Sequence, residues 1–270
     1  MWKIWGNTSN KGEELMALII KSRIPFTAEN PYRSIRPATS KIIFLSCEGS
    51  VTEEEYFARV SEIFEDIKSK IQFISVSEDA VHTHHKNRTL EQIRMLGRSK
   101  PKQLVEKIEQ FKLEKEDIYQ FSKHPEDEFW IVTDIDKNLF ADYKDDFIEA
   151  LNMCDNKQYG YAISNPFFEI WLLLHHDDAD EEDKAYAVTK EHEYESTSHF
   201  RERLHNLHVP LKKEKHIEGS YYNKENIFQA IKRAKKLHID KNARYPEYFA
   251  TTVYELLEKM IDMLPEEMIE

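Results

Sequence analysis

Three short apolar runs in this chain end on polar groups suited to holding a hard cation. Residues 41–47 (KIIFLSC) lead into Glu48 and Gly49, residues 128–133 lead into Asp134 with Asp136 two positions on, and residues 159–163 lead into Ser164, Asn165 and Pro166. If the runs are strands of a parallel sheet, these groups reach one edge, because ligands of such sheets bind beyond the carboxyl ends of the strands. Carboxylates gathered there repel one another, and a divalent cation relieves the repulsion. Mg²⁺ takes oxygen ligands and keeps several of its waters, so two or three carboxylates suffice. The Asp134-x-Asp136 spacing suits this role, since alternate residues of an extended chain point the same way. The plainer reading of a strand-end Asp is a turn former or a helix cap. A buried strand that ends on Glu is harder to explain without a partner for the charge.

The segments between the runs carry a helical period. Thr52 to Lys70 places Tyr56, Val60, Ile63, Phe64 and Ile67 at spacings of three and four. Pro101 to Phe121 does the same with Leu104, Val105, Ile108 and Phe111, and opens on proline; a third helix is predicted over 139–153. Strands over 41–47, 71–77, 128–134 and 159–164 that alternate with such helices predict an α/β fold, a mostly parallel sheet flanked by helices. Residues 166–175 read as a very apolar helix. Residues 176–195 are acidic and poor in structure signals, and helices are expected near 197–207, 223–239 and 247–263, with no further strand. Residues 13–22 fit one helix, ahead of Pro25, Pro31 and Pro37, which break any element. The chain divides into an N-terminal extension or wrapping segment (1–40), an α/β domain (41–176), and an acidic loop with helical C-terminal additions (177–270).

Composition removes several classes. The chain has 270 residues, 40% hydrophobic and 12% aromatic, which excludes a disordered chain, and six Gly with nine Pro excludes a collagen-like one. Two cysteines, Cys47 and Cys154, cannot staple a disulfide scaffold of this length. No apolar run approaches the roughly 20 residues that span a bilayer, and the N-terminus is polar where a signal peptide is apolar. The expected setting is cytoplasmic, with no membrane. Twelve histidines include His82, His84 and His85 in one cluster and His175 and His176 as a pair. The spacing of zinc sites is missing, so these are read as solvated or, for His175 and His176, as phosphate contacts near the carboxylates.

The net charge of −12 hides its distribution. Residues 86–102 hold six basic groups against one acidic, residues 201–244 hold twelve against five, and residues 177–195 hold nine acidic groups against two basic. Basic stretches are often only solvated helix faces. Beside a carboxylate site they are also what holds a phosphate backbone, and Arg94, Arg98, Lys212, Lys213, Lys224, Lys232 and Arg233 are the expected contacts. Ser164 and Asn165 read as helix N-caps before Pro166, or as ligands for a phosphate oxygen if the helix start faces the site. The acidic run is a mobile loop or a lid.

The motif IFLSCEGSVTEEEYF at 43–57, followed by WIVTDID at 130–136, resembles the Toprim fold, the metal-binding domain of topoisomerases, primases and OLD-type nucleases. The run SNPFFEIWLLLH at 164–175 is more specific. With Tyr222, Lys224, Ala230, Ala234 and the stretch from Asn242 to Leu257, it resembles the RloB-like family of bacterial defence proteins over residues 41–263. Residues 81–87 and the N-terminal stretch have no counterpart in that resemblance.

The resemblance implies a Mg²⁺-dependent (or Mn²⁺-dependent) nuclease that cuts RNA such as tRNA, or DNA, as the effector of a phage-defence system beside an AAA-type ATPase. Glu48 would be a metal ligand or general acid/base, and Asp134 and Asp136 the pair that holds the metal. Glu53 corresponds to a second acidic ligand of OLD-type relatives, although Thr52 to Glu55 also has capping-box spacing. Glu169 is expected to be catalytic; on an apolar helix it needs a partner, a metal or an Arg. One or two ions would activate water and steady the developing charge, with no Ser, Cys or Tyr nucleophile. Tyr56 falls at a core-type position and is read as packing. A homo-oligomer is left open. The competing readings are a non-catalytic sensor or interaction subunit of an ATPase-containing complex, and hydrolysis of a small nucleotide in place of a polymer.

Overall fold

The apolar run at 43–47 forms β1 (Ile43–Cys47), and all five residues are buried. A strand covered on both faces reads as a continuous apolar run, as this one does. The structure, a computed structural model, describes residues 41–49, 51–74, 101–135, 137–188, 198–213 and 215–264. Four strands pair in parallel: β1, β2 (Ile71–Phe73), β3 (Glu128–Asp134) and β4 (Gly160–Asn165). A fifth, β5 (Ala250–Thr251), adds antiparallel to β4, giving the order β2-β1-β3-β4-β5. Cys47 stands opposite Val132, and Asp134 opposite Ser164. In this register β1 ends two residues before β3, and β3 and β4 end within one residue of each other, so the three carboxyl ends share one edge. The ladder continues one residue past the strands, from Glu48 N–H to the Val132 carbonyl (2.9 Å) and from Ile135 N–H to the Ser164 carbonyl (2.8 Å).

The pleat divides β1 between two cores. Ile43, Leu45 and Cys47 face α1 (Thr52–Ile63), where Tyr56, Phe57 and Val60 are fully buried. Phe44 turns the other way, into rings of Phe111, Tyr119, Phe121 and Phe129 whose centroids lie 5.0–5.7 Å from its own. That second core is closed by α2 (Pro101–Tyr119) and by Ala150 and Cys154 of α3 (Lys137–Lys157). Phe147 and Leu151 of α3 also cover Ile163 of β4. The expectation of a mostly parallel sheet flanked by helices is met.

The remaining helices are α4 (Glu169–Leu174), α5 (Glu181–Val188), α6 (Ser198–Asn206), α7 (Lys224–Leu237) and α8 (Val253–Ile261). All six residues of α4 are buried. Phe200 and Leu204 of α6, Ile227 and Ala230 of α7 and Leu256 and Leu257 of α8 join the same core as β1 and α1. The C-terminal helices thus complete one face of the sheet. Among the described residues no helix is long and apolar enough to cross a membrane.

Several expectations change. The helix expected over 166–175 begins only at Glu169, with Phe168 at its N-cap, so Ser164 and Asn165 end a strand and cap nothing. The strand β5 was not expected; two residues are too few to show alternation. The helix expected over 52–70 stops at Ile63, before a 3₁₀ turn at Glu65–Ile67. Its N-cap is Val51 with no side-chain cap bond, which overturns the capping box. The acidic segment contains a helix, α5, and Arg203 pairs with Asp177, Asp180 and Asp183, while His199 bonds Asp183 (2.8 Å). Those contacts tie residues 177–183 down, against the expectation of a mobile loop there. The helix expected at 13–22, residues 75–77 of the second strand, the cluster of His82, His84 and His85, Arg94, Arg98 and Asp136 lie outside the described residues.

Candidate active site

Four acidic side chains come together at the sheet edge. Glu48, just past β1, reaches across to β3: its Oε2 accepts from Thr133 Oγ1 (2.5 Å) and from the N–H of Asp134 (3.2 Å). Asp134 closes β3, and its Oδ2 accepts from the N–H of Phe168 (3.2 Å), the residue before α4. The next residue, Glu169, is 7% exposed. Glu53, also 7% exposed, lies in the first turn of α1 over Gly49. A β-carbon on Gly49 would stand 2.5 Å from the Glu53 Cδ, so only glycine leaves room for that carboxyl group. The N–H groups of Gly49 and of Glu53 itself stabilise its charged form.

The electrostatics show how close these groups are. Burial pushes Glu53 up to about 7, and the neighbouring charges of Glu169 and Glu48 push the same way. Asp134 is raised well above the usual carboxylate range by burial and by Glu53, Glu48 and Glu169. Charge crowded into a low-dielectric edge favours protonation, and an added cation reverses it. The donors are oxygens, the kind Mg²⁺ and Mn²⁺ select. Among the described residues no three of His, Cys, Asp and Glu form a ready metal-binding group. The donor chemistry therefore fits a hard cation, while the arrangement is not a finished cage.

Glu169 has the partner its setting demands. Arg201 of α6 donates from Nε (3.2 Å) and Nη2 (3.1 Å) to its Oε1. Of the two partners expected from the sequence, the structure shows the arginine. Lys107 is a second cation that sequence reading missed. Ser46 Oγ donates to the Leu104 carbonyl (3.1 Å), pinning α2 beside the end of β1, and Lys107 follows one turn later. Burial lowers the Lys107 pKa, opposed by Glu54, Cys47 and Glu48, which places it on the Glu48 side of the cluster. The buried Cys47 thiol is pushed up by burial and then by Glu53.

The other predicted residues divide. Ser164 Oγ meets Thr251 Oγ1 (3.0 Å) and Asn165 Nδ2 donates to the Pro246 carbonyl (2.7 Å); both residues are 1% exposed. They tie β4 to β5 and the chain before it, and offer no phosphate oxygen a donor. Arg233 donates to the Leu174 carbonyl (2.8 Å) at the end of α4 and stands 3.6 Å from Asp178, so it serves the helix end. Lys224 and Lys232 are exposed on α7. Lys212 pairs with Glu218, and the exposed Lys213 follows in a tight turn closed by backbone bonds between Lys212 and His216. That turn docks on α1. Thr52 Oγ1 donates to the Lys215 carbonyl (2.7 Å), and Glu55 accepts from the Ile217 N–H (2.9 Å) and meets His216 Nδ1 (2.6 Å).

His175 belongs to the core. Its Nδ1 lies 2.8 Å from the Trp171 carbonyl, which can only accept, so Nδ1 holds the proton and Nε2 accepts from Tyr56 O–H (3.0 Å). Burial pushes its pKa down to about 3, and the ring is neutral. It is no phosphate contact, and Tyr56, fully buried, packs as expected. The His176 ring meets that of Tyr222 edge to face, with centroids 5.6 Å apart.

A sequence model of one protein family, described as RloB-like protein, matches residues 43–260, from β1 into α8. No curated protein and no solved structure matches the chain.

Proposed function

The chain belongs to the RloB-like family, and on that premise we propose that it is a divalent-metal-dependent nuclease. The observation that carries this reading is the cluster of Glu48, Glu53, Asp134 and Glu169 at the carboxyl ends of β1 and β3, where burial raises both Glu53 and Asp134 and the charges of Glu48 and Glu169 push the same way. Glu48, Glu53 and Asp134, with Asp136, would hold Mg²⁺ or Mn²⁺. The ion, when bound, supplies neutralising charge at the phosphate and activates water.

The chain's own residues prepare that site. Thr133 and the Asp134 N–H fix the Glu48 carboxylate in one orientation. Phe168 N–H does the same for Asp134. Glu53, pushed up to about 7, is part-protonated near neutrality and would give up that proton to bind a cation. In hydrolysis the water oxygen joins phosphorus, the bond to the leaving oxygen breaks, and the two protons of water are shared between the products. On this reading the phosphate backbone of RNA or DNA would be held by the docked turn around Lys213 and the exposed lysines of α7, whose charge and exposure support that role. The resemblance drawn from the motifs supports a wider setting, a cytoplasmic effector of bacterial phage defence that works beside an AAA-type ATPase.

The test is cleavage of labelled tRNA, other RNA and DNA with Mg²⁺ or Mn²⁺, with and without that ATPase. EDTA should abolish it, and Asp134→Asn or Glu48→Gln should reduce it by at least about 100-fold. Cleavage by either variant at the parent rate overturns the reading.

Two observations favour a second reading, a sensor or interaction subunit with no catalysis. Arg201 already neutralises Glu169, and no ready three-ligand group exists among the described residues. A folded protein that shows no Mn²⁺ affinity in titration calorimetry decides for it.

A further inference from the structure

We propose that Arg201 grips the phosphodiester that is cut, a reading that rests on the nuclease chemistry above. Its guanidinium, held by Glu169, takes a non-bridging oxygen of the scissile phosphate.

Three observations carry this. The first is unspent donor capacity. A guanidinium has five N–H donors. Two of them, on Nε and Nη2, converge on the single Oε1 of Glu169, which is the only hydrogen-bond partner of Arg201 among the described residues. The second is direction. The Glu169 side chain is 9% exposed and that of Arg201 is 29% exposed, so the pair is anchored at its acidic end and open at its basic end. The third is position. The residue before Glu169, Phe168, donates its N–H to Asp134 Oδ2 (3.2 Å), so Glu169 and the guanidinium it holds stand beside the end of β3.

Arg203, two residues further along α6, provides the contrast. It is 22% exposed, yet it pairs with Asp177, Asp180 and Asp183, and its charge is consumed in fastening the acidic segment. Residues two apart on a helix point to nearly opposite sides. The helix therefore turns one arginine to structure and the other to the site. Phosphoryl transfer spreads negative charge over the non-bridging oxygens, and a planar fork of N–H groups is matched to them. Arg201 would be a catalytic residue supplied from the C-terminal helices, outside the strand-end motifs.

The experiment uses the full chain with Mn²⁺ and two probes, bis(p-nitrophenyl) phosphate and a labelled single-stranded oligonucleotide. Arg201→Ala should lower kcat by about 100- to 1000-fold with a smaller change in KM, and Arg201→Lys should restore only part. A purely structural pair would lower Tm and leave the kcat of the folded protein within about threefold of the parent, and that result overturns the proposal. Should Arg201→Ala fail to fold, Arg201→Lys is read by the same criteria, and the double variant R201A/E169Q, which leaves no unpaired buried carboxylate, is read by them against E169Q in place of the parent. Should the parent cut neither probe, the nuclease reading fails by itself, and Arg201 is judged by oligonucleotide binding in EDTA. Loss of one phosphate contact lowers the slope of log affinity against log salt by about one. An unchanged slope and affinity overturn the proposal.

Discussion

The Glu53 carboxyl group occupies the space that a side chain at position 49 would need. A β-carbon on Gly49 would stand 2.5 Å from the Glu53 Cδ and closer still to Oε2. Gly49 has no positive φ, so it is required here for room and not for backbone freedom. What must yield in Gly49→Ala is the end of one side chain, not the backbone. The variant should therefore fold with a Tm within a few degrees of the parent. Its Mn²⁺ affinity should fall by about 10- to 100-fold, the usual effect of displacing a group that orients a metal site. Calorimetric titration and thermal melts on one sample check this; a variant that keeps full Mn²⁺ affinity would show that Glu53 is not part of a metal site.

The pH dependence of stability follows from the same carboxyl. Glu53 titrates at about 7 in the folded protein against an ordinary value of 4.5. Folding then holds its proton more tightly, so this contribution to stability declines as pH rises from about 4.5 to about 7. The ceiling on the effect is about 3 kcal/mol. His175 acts in the opposite sense below its ordinary 6.5, because its folded pKa is about 3. The difference between the parent and Glu53→Gln isolates the first term. In EDTA the variant should match the parent near pH 4 and exceed it at pH 8, by up to about 3 kcal/mol in urea unfolding. A variant no more stable than the parent at pH 8 contradicts the buried, crowded carboxyl.

How much of this was legible in the sequence depends on how local each signal is. Glu48 and Asp134 could be read because each directly follows an apolar run, and the parallel pairing that brings them to one edge follows from alternating elements. Arg201 and Lys107 could not. Each is one cation on an amphipathic helix, and its partner is set only by helix packing, over 32 residues for Arg201 and Glu169. Ser164 and Asn165 misled because cap-forming residue types also pair well across strands, and their partner strand is two residues long. Thr52 and Glu55 misled for a related reason. The spacing that makes a capping box also puts two side chains on one face of a helix, and that face holds the turn at 212–217.

His175 and Tyr56 make a different prediction, of stability without chemistry. Their bond is buried, 3.0 Å long, and surrounded by Trp171, Phe168 and Tyr222. Tyr56→Phe leaves Nε2 of His175 without a donor and should cost about 1–3 kcal/mol. His175→Ala removes a buried ring as well and should cost about 3–5 kcal/mol. Metal-dependent turnover per folded molecule should stay within about twofold for both. A loss of turnover beyond that, with the fold intact by circular dichroism, would return His175 to the site.

Glu55 separates holding a polymer from cutting a phosphodiester. Its carboxylate receives the Ile217 N–H and His216, and with Thr52 it fastens the turn that presents Lys213 beside α1. Glu55→Ala leaves the Ile217 N–H without its acceptor, at a cost of about 1–3 kcal/mol. For a chain of this size that lowers Tm by several degrees. The carboxylates of Glu48 and Asp134 keep their own bonds, to Thr133 and Phe168, and are not reached by the change. Turnover of bis(p-nitrophenyl) phosphate should therefore stay near the parent rate. Oligonucleotide affinity at low salt should fall by about fivefold, as the lysines of the turn lose their fixed position. Charge reversal at Lys213 should reproduce the second effect without the fall in Tm. Equal oligonucleotide binding by all three proteins would remove the turn from the nucleic-acid surface, and would favour hydrolysis of a small nucleotide over that of a polymer.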